Sequence, residues 1–154
     1  MGIVRDGFTH RQGGPDDAEK IRTLTRAAYM PWVAVLGREP RPMTADYEAV
    51  VTKHRFDLLC EGVAIRALLE TELRGDSLWI ENIAVDLSLH GQGIGRLLLD
   101  YAKELAISHG RKQITLATNA KMARNIAIYE KYGFQIDREE RVSHGIVIYM
   151  SMQT

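Results

Sequence analysis

Between positions 90 and 99 the chain reads His90-Gly91-Gln92-Gly93-Ile94-Gly95-Arg96-Leu97-Leu98-Leu99. Glycines at 91, 93 and 95 let the backbone come close to a ligand, because no Cβ intervenes. A helical apolar pattern begins at Ile94. The first-turn N–H groups of a helix have no partner inside it and carry the positive end of its dipole. The chemistry this spacing points to is a cradle for phosphate. A dinucleotide site of the form G-x-G-x-x-G would need glycine at 98, where Leu98 stands. It would also need a carboxylate ending the next strand, where the chain has Thr118-Asn119. A nucleotide P-loop would need Gly-Lys-Ser/Thr, but Arg96-Leu97 follows Gly95. A tight turn without a ligand is the bland alternative; three closely spaced glycines at a helix start count against it.

A second candidate is Glu81, in a strand-like run. Simple alternation puts it on one face with Trp79, Ile83 and Val85. A carboxylate among such neighbours is either a base of raised pKa or a residue at the exposed rim of a sheet. No His/Cys/Asp/Glu group has metal-ligand spacing, so no metal is expected. His54, His109 and His144 are scattered and take no role.

These residues need elements to hold them. Strand-like runs at 56–60, 63–73 and 78–86 precede the glycine turn, joined by Glu61-Gly62 and Arg74-Gly75-Asp76. Turns this short connect antiparallel neighbours. Upstream, 18–29 and 44–54 show helical spacing, with Asp16 and Asp17 before the first and Thr44 capping the second. Pro31, Gly37, Pro40 and Pro42 predict an irregular stretch between them, and a first strand is expected at 3–5 or 8–11. After the turn, a helix places Ile94, Leu97, Leu98, Tyr101, Ala102 and Leu105 on one face and stops at His109-Gly110. A strand at 113–118, a helix at 121–132 and a hairpin of 134–142 with 146–152 complete the chain. Because a helix separates them, 78–86 and 113–118 should be parallel neighbours in a sheet that is otherwise antiparallel. The expected fold class is α/β (α+β): one domain over 1–154, a mixed, mostly antiparallel sheet flanked by helices. The apolar final hairpin could pair with a second copy in a homodimer, or form a buried edge.

The 154 residues are enough for one core, and 45 % hydrophobic with 26 % charged residues is ordinary for a globular protein. Lys plus Arg equals Asp plus Glu, at 20 each. That balance lacks the basic surplus that nucleic acid or a membrane surface demands, so neither is expected as a partner. No run reads as a signal peptide or a bilayer span, and the single cysteine, Cys60, lies in an apolar run. The expectation is a cytoplasmic protein with a buried Cys60.

Asn82-Ile83-Ala84-Val85 followed by residues 90–95 resembles the acetyl-CoA-binding motif of the GCN5-related N-acetyltransferases (GNAT). That family's pattern is Arg or Gln, two residues, Gly, one residue, then Gly or Ala; here His90, Gly93 and Gly95 occupy it. Asn125-Ile126-Ala127-Ile128-Tyr129-Glu130-Lys131-Tyr132-Gly133-Phe134 is similar to the family's late helix ending in Tyr-Glu-Lys-Leu-Gly-Phe. The order and separation of the two motifs fit, and the element order matches over nearly the whole chain. His90 departs from the usual Arg or Gln, and Leu87 stands where proline is common.

The resemblance implies acetyl-CoA as acetyl-donor substrate, a parallel strand pair splayed around it, and a small-molecule or peptide amine as acceptor. It implies that Ile83, Ala84 and Val85 bind the cofactor, with Ile83 and Val85 pairing through backbone groups with the pantetheine arm as an added strand. His90, Gly91, Gln92, Gly93, Ile94, Gly95 and Arg96 would surround the pyrophosphate, and Asn119 and Asn125 would meet the pantetheine amides, though Asn119 could equally cap the next helix. A lysine-like amine, with a pKa of about 10.4, must lose a proton before it attacks, and Glu81 is the base candidate. Tyr129 would lie near the sulfur and return a proton to the leaving thiolate; its bland alternative is a core tyrosine. Tyr29, Trp32 and Tyr47 would shape the acceptor site or simply pack. The competing function, from another class, is a non-catalytic acyl-CoA-binding regulatory module, which would need only the cradle.

Overall fold

A computed structural model describes residues 2–154. One sheet of seven strands runs in the order β1-β2-β3-β4-β5-β7-β6. The strands are β1 (Thr9–Gln12), β2 (Arg55–Glu61), β3 (Ala64–Arg74), β4 (Ser77–Val85), β5 (Gln113–Asn119), β6 (Gln135–Val142) and β7 (Gly145–Gln153). The helices are α1 (Ala18–Leu36), α2 (Arg41–Thr44), α3 (Tyr47–Val50), α4 (Ile94–Ser108) and α5 (Ala123–Tyr132). Only β4 and β5 pair in parallel; every other neighbouring pair is antiparallel. That is the mixed, mostly antiparallel α/β arrangement expected from the short turns and the one helical crossover.

The sheet separates two apolar layers. On one face Leu78 and Ile80 of β4, Ile114 and Leu116 of β5, and Leu98, Ala102 and Leu105 of α4 form a cluster. On the other, Ile21 and Leu24 of α1 pack with Tyr47, Phe56, Leu58, Cys60 and Leu68. Cys60 is buried there as a small apolar group. Each strand between the layers alternates its side chains between them. Fully burying one leucine contributes roughly 1.5–3 kcal/mol, so both layers are needed to offset the entropy of ordering the chain. No helix is long and apolar enough to cross a membrane among the described residues.

Three local readings differ from the structure. Helix α1 continues past Pro31 to Leu36 instead of breaking near 30. Proline's φ suits a helix; what it forfeits is one backbone bond and clearance from the preceding turn, about 3 kcal/mol in a helix interior. Packing of α1 on β3, β4, α2 and α3 offsets this. Gly37, at φ 75°, then ends the helix with its N–H on the Val33 carbonyl at 2.8 Å. The helix expected over 44–54 is reduced to the single turn α3, and a separate turn, α2, lies ahead of it in the stretch expected to be irregular, with extended backbone at Ala45 between them. Thr44 closes α2 rather than capping α3; Asp46 is the cap, accepting from the Ala49 N–H. Finally, the outer strand of the last hairpin, β6, is exposed and polar rather than apolar. The apolar pattern belongs to β7, which lies inside the sheet between β5 and β6.

Candidate active site

The opening between β4 and β5 organises the site. The two strands are in register only from Ser77 and Gln113 to Ile80 and Leu116. Beyond that point β5 stays with β7 as far as Asn119, while β4 turns away. The cause is a bulge: Thr71 of β3 faces Ile80 and Glu70 faces Asn82, so Glu81 is the extra residue. A bulge bends and twists the strand that carries it. Here it also shifts the alternation by one. Leu78 and Ile80 point to the α4 layer before it, and Ile83 and Val85 pack against that layer after it. Glu81 therefore does not share a face with Ile83 and Val85, as unbroken alternation predicts; it remains beside Trp79.

Past the bulge, β4 has no strand neighbour on its β5 side. The carbonyl of Ile83 accepts from the Tyr29 hydroxyl at 3.3 Å, and that of Val85 meets His90 Nε2 at 3.1 Å. In a strand the N–H and C=O of one residue point the same way, so Ile83 and Val85 both present their backbone edge to the opening. Ala84 does not. Its side chain is buried in the α1 layer, and by the same alternation its backbone faces β3.

The glycine turn stands at the end of this edge. Asp86 accepts from the Ser88 N–H at 2.9 Å and starts a short 3-10 turn, Leu87–Leu89. Hydrogen bonds from Ser88, with Arg66 nearby, hold the Asp86 carboxyl below the usual carboxylate range. Gly91 at φ 79° and Gly93 at φ 80° take a conformation that a Cβ would strain. Gly93 caps α4, and buried Ile94 anchors the first turn in the core. Among the described residues, none of the N–H groups from Gly91 to Arg96 meets a protein acceptor. They are free to meet an acceptor from outside the protein, as the phosphate cradle expected from the sequence would require. Arg96 lies beside it, its guanidinium 5.7 Å from the centre of the Tyr132 ring.

Glu81 sits on the opposite side of β4 from the α4 layer, with its side chain 18 % exposed. The Trp79 indole N–H donates to it at 2.5 Å. Arg41 Nε lies 3.8 Å away and Arg74 Nη2 4.0 Å. The Arg74 guanidinium also covers the Trp79 ring at 4.4 Å, and Tyr149 of β7 flanks that ring at 6.5 Å. The carboxylate is thus oriented, reachable and bordered by cations.

Tyr129 of α5 packs edge-on against Phe134 at 5.7 Å, and burial pushes its hydroxyl pKa up to about 12. It is a phenol that keeps its proton. Burial also holds Tyr29 well above its ordinary value, with Tyr129, Tyr47 and Glu70 close enough to add to the shift. Tyr29 thus reaches the opening from α1 through its bond to the Ile83 carbonyl, and Tyr129 of α5 lies near enough to Tyr29 to act on it. Asn125 is half-buried on α5, whereas Asn119 Oδ1 is taken by the Lys121 N–H at 2.9 Å. Asn119 works locally, ordering the turn into α5.

Several polar groups of this region escaped the sequence reading. Glu70 is buried beside Asn82, and burial raises its carboxyl pKa even though His54 Nδ1 lies 2.6 Å away. His54 Nε2 also reaches Glu72 at 3.0 Å, so a histidine first set aside bridges two carboxylates. Asn82 donates to Thr25 and Tyr47 at 3.3 and 3.4 Å, tying the strand after the bulge to α1 and α3. Glu70 could have been suspected, as a carboxylate inside an otherwise apolar run. The Tyr29 hydrogen bond to Ile83, 54 residues away, has no local signature.

Comparison with known proteins agrees with this fold. The family model described as acetyltransferase (GNAT) domain matches residues 49–136. An uncharacterized N-acetyltransferase of Bacillus subtilis, YhdJ, is 33 % identical over 98 residues, covering 58 % of this chain and 69 % of the relative. Among solved structures, the PaiA N-acetyltransferase of Thermoplasma acidophilum in complex with coenzyme A superposes with a TM-score of 0.78 at 13 % identity, covering 96 % of this chain and 99 % of that one. A GCN5-related N-acetyltransferase from Rhodopseudomonas palustris gives a TM-score of 0.78 at 17 % identity, covering 100 % of both chains.

Proposed function

The chain belongs to the GNAT acetyltransferase family, and from that premise we propose that it transfers an acetyl group from acetyl-CoA to an amine by direct attack. One observation carries the reading: the backbone edge of Ile83 and Val85, freed by the bulge at Glu81, leads straight to a row of unpartnered N–H groups. An extended pantetheine arm has the amides to pair with such an edge, and a pyrophosphate suits such a row. The carbonyl bonds from Tyr29 and His90 occupy part of this edge, and the arm would share or displace them.

In this reading the amine enters on the α1 side, where Glu81 lies, and the thioester reaches the opening from the α4 side. Glu81, directly or through a water, takes the ammonium proton. The amine nitrogen forms a bond to the thioester carbon, and an N–H of the free β4 edge donates to the carbonyl oxygen as it gains charge. The tetrahedral intermediate collapses with loss of the C–S bond; Tyr129 donates its proton to the leaving thiolate, and the second proton of the attacking nitrogen passes, directly or through a water, to the tyrosinate, so that a neutral amide and a thiol leave. The raised pKa of Tyr129 keeps its hydroxyl proton available at neutral pH. The half-buried Asn125 would bond the pantetheine, and Arg96 would stand beside the pyrophosphate. The lone buried Cys60 fits a reducing, cytoplasmic setting.

The decisive experiment incubates the protein with acetyl-CoA and a panel of amines, amino acids, polyamines, amino sugars and peptides, following free-thiol release. Amine-dependent release at turnover well above the uncatalysed rate is expected. Tight CoA binding with no release from any amine would instead identify an acyl-CoA-binding module.

A further inference from the structure

Ahead of β1, the chain crosses to the glycine turn. Ile3 is buried in the same apolar layer as Leu89 and Ile94, and its N–H donates to His10 Nδ1 at 3.2 Å. The other nitrogen of that ring, His10 Nε2, meets Asp57 Oδ1 at 2.9 Å. Asp57 is itself fixed by Arg55 and by the Tyr101 hydroxyl of α4 at 3.0 Å. From this anchored arm Arg5 extends to the turn: its Nη1 donates to the Gln92 carbonyl at 2.8 Å, and Nη2 lies 3.4 Å from Gln92 Oε1.

The carbonyl it holds is a telling one. Gln92 lies between the two glycines of positive φ. The unit that joins Gln92 to Gly93 can turn over, because the turn changes the φ of Gly93 and glycine populates both signs of φ with similar ease. The unit joining Gln92 and Gly93 is planar and trans, so its carbonyl and its N–H point in opposite directions. Holding the Gln92 carbonyl outward on Arg5 therefore turns the Gly93 N–H inward, into the cradle. A guanidinium on the oxygen also polarises the unit and strengthens that N–H as a donor.

We propose that Arg5 is a positioning residue for the donor nucleotide, locking the 92–93 peptide in its anion-binding orientation. The inference rests on the pyrophosphate reading of the turn. Arg5 itself need touch no ligand; it acts through the backbone.

The test measures binding of CoA and of pantetheine, which lacks the pyrophosphate, by titration calorimetry on the full chain. Arg5→Ala is expected to weaken CoA about tenfold and leave pantetheine unchanged. Arg5→Lys, whose ammonium can still reach the carbonyl, should recover most of the loss. In the unliganded Arg5→Ala protein, backbone order parameters at residues 91–93 should fall. Wild-type protein binding CoA no tighter than pantetheine would overturn the pyrophosphate reading itself. If the wild type does discriminate, three results overturn only the role of Arg5. These are an Ala variant with unchanged CoA affinity, an equal loss for both ligands, or a Lys variant as weak as Ala. Unchanged order parameters would make Arg5 a direct ligand and overturn the positioning role.

Discussion

At the scale of single residues, Glu81 and Tyr129 carry different halves of the proposed reaction, and a variant of each tests its half. Tyr129→Phe keeps the packing against Phe134 and removes only the proton donor. It should lower kcat by about 100-fold with acetyl-CoA affinity little changed, the usual scale for a general acid. Because burial raises the Tyr129 pKa to about 12 from an ordinary value of about 10, the acid form persists through the whole neutral and mildly basic range. Any fall in kcat between pH 9 and pH 11 should therefore survive in Tyr129→Phe; its disappearance there would show the phenol titrating in that range and contradict its raised pKa. Glu81→Gln should lower kcat by about 100-fold with acetyl-CoA affinity little changed, since the amide cannot accept the proton. A kcat left unchanged would move the base to another group, with buried Glu70 the first to examine. His90 now has a place as well. Its partner is a backbone carbonyl of β4, a contact the departure from Arg or Gln at this position did not foretell.

At the scale of elements, the turn before α4 separates what the fold requires of a glycine from what a ligand requires. Gly93 is held at φ 80°, so any side chain there is strained by roughly 1–2 kcal/mol whether or not a ligand binds. Gly95 has no positive φ, and a Cβ added to it would meet nothing within 4 Å. Nothing in the fold demands a glycine at 95. Gly95→Gln should raise stability by about 0.5 kcal/mol through helix propensity, read as a higher denaturant midpoint. The same change should weaken CoA by an order of magnitude or more, because the larger side chain stands at the mouth of the cradle. If CoA binding proved indifferent, the ligand would have to lie elsewhere. This turn was legible in the sequence because the glycines, the apolar helix face and the preceding strand are all local. The bulge at Glu81 was not, since it depends on how β3 registers against β4. One extra residue there decides which side chains face the opening.

For the molecule as a whole, topology followed from connection lengths: short turns gave the antiparallel meander, and one helical crossover gave the parallel pair β4 and β5. What the sequence could not supply were contacts between distant segments, such as Tyr29 on Ile83 and Arg5 on Gln92, because neither leaves a periodic trace. The same limit applies to the final hairpin. Its apolar strand suggested a surface for a second copy, but the fold buries that strand inside the sheet and turns β6 outward. Along β6, Asp137, Arg138, Glu139, Glu140 and Arg141 follow one another, all exposed. Charges on an exposed edge disfavour pairing with another strand, since their solvation would be lost and like charges brought together. At the other edge, β1 is only 4 residues long, too short a template for stable pairing. Both edges therefore disfavour extending the sheet into a second chain. Sedimentation equilibrium at tens of micromolar should return the 17.4 kDa of a single chain, and 0.5 M salt should not change it. Association through a β6 edge would show as a mass near twice that value, abolished by Ile136→Lys; such a result would overturn the argument from edge charge.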